Sequence, residues 1–358
     1  MDTTINTLLD QGIEKGVFPG AAVAVSRVNQ SGRHSFFGYA GVEDCTYREE
    51  VKRTTFFDLA SLSKALSTTL VCYGLIEESR LSLDDRLDSF FEVKGEKGGI
   101  TIAQLLSHSS GMPSYISYYK NYSPVSSRKN VNKITDAILA ESLLYPPGSR
   151  CEYSDLGFIL LGRIIEKITG TTLDNCFIRY VSRPARLENE LFYIPLPSSE
   201  RDKKNFASTE KCPWRGRVIR SEVHDEHCWL MGGVSGHAGL FGTVGAVLEL
   251  SDLILDQWIG EKNDYPWSCM LKRGLQRQYE DQTWCLGFDT PSKQGSSAGC
   301  LISPTSVGHL GYAGTSLWID PVRKLVIVLL TNRVHPTRKN TKIREFRPYF
   351  HTRIIEFT

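Results

Sequence analysis

The 358 residues are 41% hydrophobic and 23% charged, enough to build a sizeable core in one large or two medium domains. A formal net charge of +2 lacks the concentrated basic excess of nucleic-acid binders, and no apolar run of roughly 18 residues offers a membrane span. Nine cysteines without a CxxC pair read as free thiols, and the N-terminus shows no basic start followed by an apolar run, so the expected location is cytoplasmic. A removed leader would leave the same signs and make the location periplasmic or extracellular.

Ile5, Leu8, Leu9 and Ile13 recur at helical spacing and predict an opening helix over 3–15, stopped by Phe18-Pro19-Gly20. AAVAVSRV (21–28) and HSFFGYAGV (34–42), separated by NQSG, predict a β-hairpin. In DLASLSKALSTT (58–69), Leu59, Leu62, Leu66 and Leu70 share one helical face, while Ser61 and Lys64 lie about a turn apart on another. Helices are expected over 100–111, 134–142, 155–170 and 243–259, with a polar loop over 195–212. SVGHLGYAG (306–314), TSLWIDP (315–321) and KLVIVLLTNR (324–333) predict two or three strands, with a turn opened by Asp320 and Pro321. A closing helix over about 338–356 carries a proline that weakens its first turns.

The simplest assembly is α+β: an antiparallel sheet from both chain ends, flanked by helices. Residues 1–75 and 290–358 would form the sheet domain and 76–289 a mostly helical insertion. The groove between them is the natural place for a site.

Three stretches carry chemistry. Ser61 and Lys64 fit an ordinary amphipathic surface, or a nucleophile beside a lysine whose pKa burial has lowered. Pro146-Pro147-Gly148 force a turn ahead of Tyr153, Ser154 and an apolar helix. Tyr153 is then a core tyrosine or a proton shuttle, and Ser154 or Asp155 a helix cap. In GHLGYAGTSLWIDP (308–321), Gly308, Gly311 and Gly314 interrupt an alternating pattern, which suits a bulged edge strand or a ligand lying close to the backbone. There His309 would face the substrate.

Taken with VFPGAAVAV and LLSHSSGMP, these stretches give a chain that resembles the serine β-lactamase and penicillin-binding-protein superfamily, nearest to class C β-lactamases, their esterase relatives and D-alanyl-D-alanine carboxypeptidase-like proteins. The resemblance spans most of the chain and implies a β-lactamase/transpeptidase-like fold. It makes Ser61 the acylated nucleophile, Lys64 its proton acceptor or electrostatic partner, and Tyr153 the general base and acid. His309 and Gly311 match the basic residue and glycine of the family's lysine-threonine-glycine motif, and the main-chain N–H groups of Ser61 and Tyr312 match its oxyanion hole. No metal or organic cofactor is implied.

Three departures bear on substrate. Asp155 stands where the family has asparagine, His309 where it has lysine, and Leu310 where it has threonine. With the fixed positive charge and hydroxyl gone, the resemblance favours an uncharged ester or amide over a β-lactam, although histidine also occurs there in some peptidases of the family. The expected function is therefore hydrolysis of small esters or amides through an acyl-enzyme, with Asp155, His309 and Gly311 contacting a small acyl, peptide or β-lactam-like substrate. The alternatives are a D-Ala-D-Ala carboxypeptidase or penicillin-binding protein with weak β-lactamase activity, and a catalytically silent binding protein.

The segment 222–243 gathers His224, Asp225, Glu226, His227 and His237. It lacks the H-E-x-x-H spacing of a helical metal site, so a glycine-rich loop lining the groove is the favoured reading, with His237 supporting the site or merely packed. His108 is expected in a helix-ending turn, Trp229 at the groove border and Trp318 within the sheet. Nothing marks Cys151 as a nucleophile.

Overall fold

A computed structural model describes residues 2–197, 205–260 and 263–358. Its main sheet has five antiparallel strands in the order Gly32–Gly41, Gly20–Asn29, Leu325–Thr331, Ser316–Asp320, Val307–Leu310. Two strands come from one end of the chain and three from the other. Ala21 pairs with Thr331, 310 positions later, and the register runs without a break to Arg27 opposite Leu325.

Both faces of the sheet are covered, and strand periodicity sorts its residues between them. Val23, Val25, Ile327 and Leu329 pack with Ile5, Leu8, Phe346 and Phe350 of the two terminal helices, Asp2–Glu14 and Ile343–Glu356. Ala22, Ala24, Val326 and Val328 face the large core under the helix Val244–Ile259. Two buried faces explain why these strands read as nearly continuous apolar runs. Each Val, Leu or Ile so buried contributes about 1.5–3 kcal/mol relative to exposure. Trp318 is buried in this sheet opposite Gly308, as expected.

The segment after Ser61 departs from expectation. It runs as a π-helix over Lys64–Thr69 and an α-helix over Leu70–Glu77, and every residue from Lys64 to Leu75 is buried. It is therefore a central core helix and not an amphipathic surface one. Its polar side meets protein: the Thr68 hydroxyl donates to the Gly236 carbonyl at 2.7 Å, and the Tyr193 hydroxyl donates to Ser67 Oγ at 2.9 Å. Gly236 lies so close to the helix Asp155–Thr169 that a Cβ there would fall 2.0 Å from the Phe158 carbonyl oxygen.

The helix expected over 100–111 is confined to Ile102–Leu106. A capping box between Thr101 and Gln104 starts it, and a left-handed His108 (φ 56°) ends it short of Gly111. The closing helix begins only at Ile343 and contains Pro348. Besides helices, the middle of the chain holds a three-stranded sheet of Phe57–Asp58, Leu240–Gly242 and Leu191–Tyr193. The loop expected over 195–212 lies partly outside the described residues and ends in a short strand, Lys211–Cys212. All nine cysteines are unpaired, and among the described residues no helix is long and apolar enough to cross a membrane.

Candidate active site

Ser61 sits on the tight turn between the Phe57–Asp58 strand and the buried helix. The turn requires Ala60 at φ 49°, a left-handed conformation that costs an alanine about 1–2 kcal/mol. Asp58 holds it there. One carboxylate oxygen accepts the Ala60 N–H at 2.8 Å and the other accepts the His224 N–H at 2.7 Å, while burial pushes the carboxyl pKa up. From the other side, the Thr315 hydroxyl donates to the Leu59 carbonyl at 3.0 Å. That contact brings the hairpin between Val307–Leu310 and Ser316–Asp320 onto the Ser61 turn. A Cβ on Gly311 would fall 1.9 Å from Thr315 Oγ1 and 2.7 Å from the Leu59 carbonyl oxygen, so this approach demands glycine.

Lys64 and Tyr153 converge on the serine. Lys64 Nζ is 3.1 Å from Ser61 Oγ, and the Tyr153 hydroxyl donates to the same oxygen at 2.8 Å. Lys64 is fully buried and also reaches the His237 carbonyl at 2.9 Å and Asp155 Oδ1 at 2.6 Å. Burial pulls its pKa down, against the opposing effect of the Asp155 carboxylate. Burial raises the Tyr153 phenol well above its ordinary value, so it stays protonated. Its ring is wedged against His108 (4.7 Å between centroids) and Trp284 (5.6 Å), with Lys64 Nζ 4.9 Å from the ring centre.

The backbone around Tyr153 is set by His108 in its helix-ending turn. His108 Nδ1 accepts the Ser154 N–H at 3.0 Å, and the Ser154 hydroxyl caps the following helix by accepting from Gly157. Asp155 therefore enters at the first position of that helix and turns its carboxylate to Lys64. One oxygen of Asp155 is engaged by the lysine, and the residue also lines the cavity.

His309 carries no fixed positive charge, in keeping with the loss of the family's lysine. Its Nδ1 donates to its neighbour's carbonyl, Leu310 O, at 2.9 Å, and burial with nearby Lys64 pushes its pKa down to about 3. It is a neutral acceptor whose Nε2 has no protein partner. Tyr312 is half exposed, and its main-chain N–H, like that of Ser61, takes no part in the backbone hydrogen bonding of the described residues. Both residues line a cavity of about 710 Å³ together with Tyr153, Asp155, His309 and Gly311.

Other parts of this cavity carry no motif. Trp284 packs on Tyr153 and His309, and Tyr115 forms part of the wall. Arg333, Arg344 and Arg347 also line it, and among the described residues none of the three is paired with a carboxylate. Arg347 donates to the Gly311 and Thr315 carbonyls, and Arg333 to the Tyr312 carbonyl, so two of them brace the 311–315 turn. Trp229 does not border the cavity; it is buried in a satellite core with Phe192 and Phe241, its indole donating to Glu222 at 2.6 Å.

The histidine-rich segment divides. His224 meets Glu210 and stacks on Tyr312, whereas Asp225, His227 and His237 come together. Cys151 is half-buried with its thiol pKa raised to about 11, which does not suit a nucleophile.

A family model described as beta-lactamase matches residues 5–347. The chain is 30% identical over 371 residues to an N-acetylmuramyl-L-alanine amidase of Bacillus subtilis (strain 168), covering 91% of this chain and 80% of that protein. It is 31% identical over 364 residues to a putative D-alanyl-D-alanine carboxypeptidase of Escherichia coli (strain K12), covering 94% and 82%. Among solved structures, EstCE1, a hydrolase with promiscuous acyltransferase activity, superposes with a TM-score of 0.74 at 20% identity over 97% of this chain and 98% of that one. The octameric penicillin-binding protein homologue from Pyrococcus abyssi also gives 0.74 at 20% identity, over 99% and 78%.

Proposed function

The chain belongs to the beta-lactamase family, and within it we propose a serine hydrolase that cleaves small amides and esters through an acyl-enzyme on Ser61. The observation that carries this reading is the meeting of a buried lysine and a buried tyrosine on one serine oxygen, at 3.1 and 2.8 Å.

Lys64 is the better-placed acceptor of the serine proton. Two of its three contacts, the Asp155 carboxylate and the His237 carbonyl, only accept, so a neutral amine donates to both and turns its lone pair to the Ser61 hydroxyl. As Oγ attacks the substrate carbonyl, its proton passes to Lys64 and the carbonyl oxygen becomes an anion. The free N–H groups of Ser61 and Tyr312 are positioned to receive that anion. Removing one such donor from a comparable site costs about 2.7–4 kcal/mol of transition-state stabilisation. When the tetrahedral intermediate collapses, Tyr153 gives its proton to the leaving group, and Lys64 across its ring face refills the phenolate. Water then repeats the sequence on the acyl-enzyme.

The cavity wall favours a more specific substrate. The loss of the family lysine at His309 argued for an uncharged one, but Arg333, Arg344 and Arg347 restore positive charge on the same side of the cleft. A substrate carrying a carboxylate beyond the scissile amide fits this wall. The two relatives are named for hydrolysis of amide bonds at alanine, which supports an alanine-containing amide.

The test is twofold. A fluorophosphonate should label Ser61 in intact-mass analysis, and turnover should be ranked among a chromogenic ester, a D-Ala-D-Ala peptide, an N-acetylmuramyl-L-alanine amide and a cephalosporin. An unlabelled Ser61 together with no turnover would defeat the enzyme reading in favour of a binding protein.

A further inference from the structure

We propose that Asp225, His227 and His237 form a binding site for one first-row divalent cation of the zinc type, set in the wall of the cavity. One ligand atom from each residue lies within 4.8 Å of the other two. His237 Nε2 is 2.8 Å from Asp225 Oδ1, and both residues line the cavity, which provides the entry path. Two imidazoles and a carboxylate form a donor set suited to zinc, leaving the fourth position toward the cavity for water.

His227 supplies the independent sign. It is fully buried, yet among the described residues neither ring nitrogen has a hydrogen-bond partner. A buried imidazole ordinarily satisfies both nitrogens, because leaving a desolvated polar atom unpaired is unfavourable. The ring is held by apolar contacts instead, caged by Tyr115, Tyr118 and Tyr119 at 5.1–5.8 Å. Such a cage fixes an imidazole in place and leaves its nitrogen for a metal.

The surroundings of the other two ligands agree. His237 Nδ1 faces the Ser235 hydroxyl at 2.9 Å, which can accept an N–H once Nε2 is bound to a cation. The Asp225 carboxylate takes the Cys228 N–H, while Arg215 spends its guanidinium on the main-chain carbonyls of Val223, His224 and Asp225. The acidic group leaves the cluster anionic and accessible. Glu210, Cys212 and Glu226 make a contrasting case: their ligand atoms are equally close, but Arg338 pairs with both glutamates at 2.5 Å and already supplies the cation.

The site touches the catalytic groups, because the main-chain carbonyl of His237 holds Lys64. Metal binding is nonetheless independent of acylation, so Ser61→Ala should bind the ion as the wild type does. That separates failure of this proposal from failure of the hydrolase reading. Untagged, chelator-stripped full-length protein is titrated with Zn²⁺ by calorimetry, and Co²⁺ is substituted to read ligand type from its visible spectrum. One ion per chain is expected, with a nitrogen–oxygen tetrahedral or five-coordinate spectrum. Affinity should drop by more than roughly 100-fold in His227→Gln and in Asp225→Asn, since even outer-shell losses cost about 10–100-fold. Glu210→Gln should bind as wild type. No stoichiometric binding, a thiolate-to-cobalt charge-transfer band, or affinity unchanged in both cluster variants would overturn the assignment; the wild-type spectrum decides even if a variant fails to fold.

Discussion

Replacing Tyr153 with phenylalanine separates the chemistry of the hydroxyl from the packing of the ring. The ring rests on His108, Trp284 and His309 and would stay in place. The hydroxyl donates to Ser61 Oγ at 2.8 Å with the Asp155 carboxylate beside it, and the serine keeps its contact with Lys64. Stability should therefore fall by only about 0.5–1.5 kcal/mol, the net worth of one hydrogen bond. Activity should fall far more. A positioned general acid contributes about 10²–10⁴ in rate, equivalent to roughly 2.7–5.4 kcal/mol of barrier. The loss should also depend on the leaving group. An activated aryl ester departs as a stable phenolate and needs little protonation, whereas an amide nitrogen must be protonated to leave. Steady-state kcat/KM for Tyr153→Phe is measured on both kinds of substrate, with thermal melts alongside. The expected result is a much larger loss on the amide, with the melting temperature almost unchanged. Equal losses on the two substrates would refute leaving-group protonation, and a loss that merely follows unfolding would refute any chemical role for the hydroxyl.

The proposed base should betray itself in pH profiles. The neutral form of Lys64 is the active one, so kcat/KM falls as pH drops through its pKa; since the Asp155 charge raises that pKa, Asp155→Asn should move the acidic limb to lower pH, and a limb that stays or moves up would contradict the assignment. Gly311→Ala should cost about 1–3 kcal/mol in stability, read as a lowered denaturation midpoint, because the new Cβ meets Thr315 Oγ1 and the Leu59 carbonyl. Adding Thr315→Ala should recover only part of this loss, since the carbonyl contact remains; full recovery would show the carbonyl to be unimportant. Arg344→Ala should raise KM a few-fold, the scale of about 0.2–1 kcal/mol for an exposed ion pair, for a substrate bearing a free carboxylate. The amidated analogue should be unaffected, and equal effects on both would argue against an anion-binding wall.

What the sequence revealed follows the range over which each signal acts. The sheet was legible because its strands carry local patterns, and the hairpin 20–41 needs only a two-residue turn at Gln30–Ser31 to set its register. Ser61, Lys64 and Tyr153 could be singled out because the first two stand three positions apart in a leucine-periodic stretch and the third precedes a strong capping residue. The burial of the helix after Ser61 on all sides was not legible, because the partners of Ser67 and Thr68, Tyr193 and Gly236, lie 126 and 168 positions away. The contact of the Asp155 carboxylate with Lys64 was hidden for the same reason, because it joins residues 91 positions apart. The arginine wall was hidden differently. Arg344 and Arg347 lie on a helix whose sequence is polar and proline-containing, and only the fold aims them at the cleft.

The segment 224–240 has a structural role at the nucleophile that no motif announces. The His224 N–H binds one oxygen of Asp58, whose other oxygen holds Ala60 in its strained turn. The His237 carbonyl binds Lys64, and the Leu240 N–H donates to Ser63 Oγ at 3.0 Å. Three consecutive parts of the nucleophile segment are thus fixed by one loop more than 160 residues downstream. The strain at Ala60 costs about 1–2 kcal/mol, and two hydrogen bonds to a carboxylate, worth roughly 1.5–3 kcal/mol each, suffice to hold it. A serine oxygen aimed by such a turn stays close to its partners without reorganising when substrate arrives. The glycine-rich loop thus lines the groove, as expected, and also moulds the turn that carries Ser61.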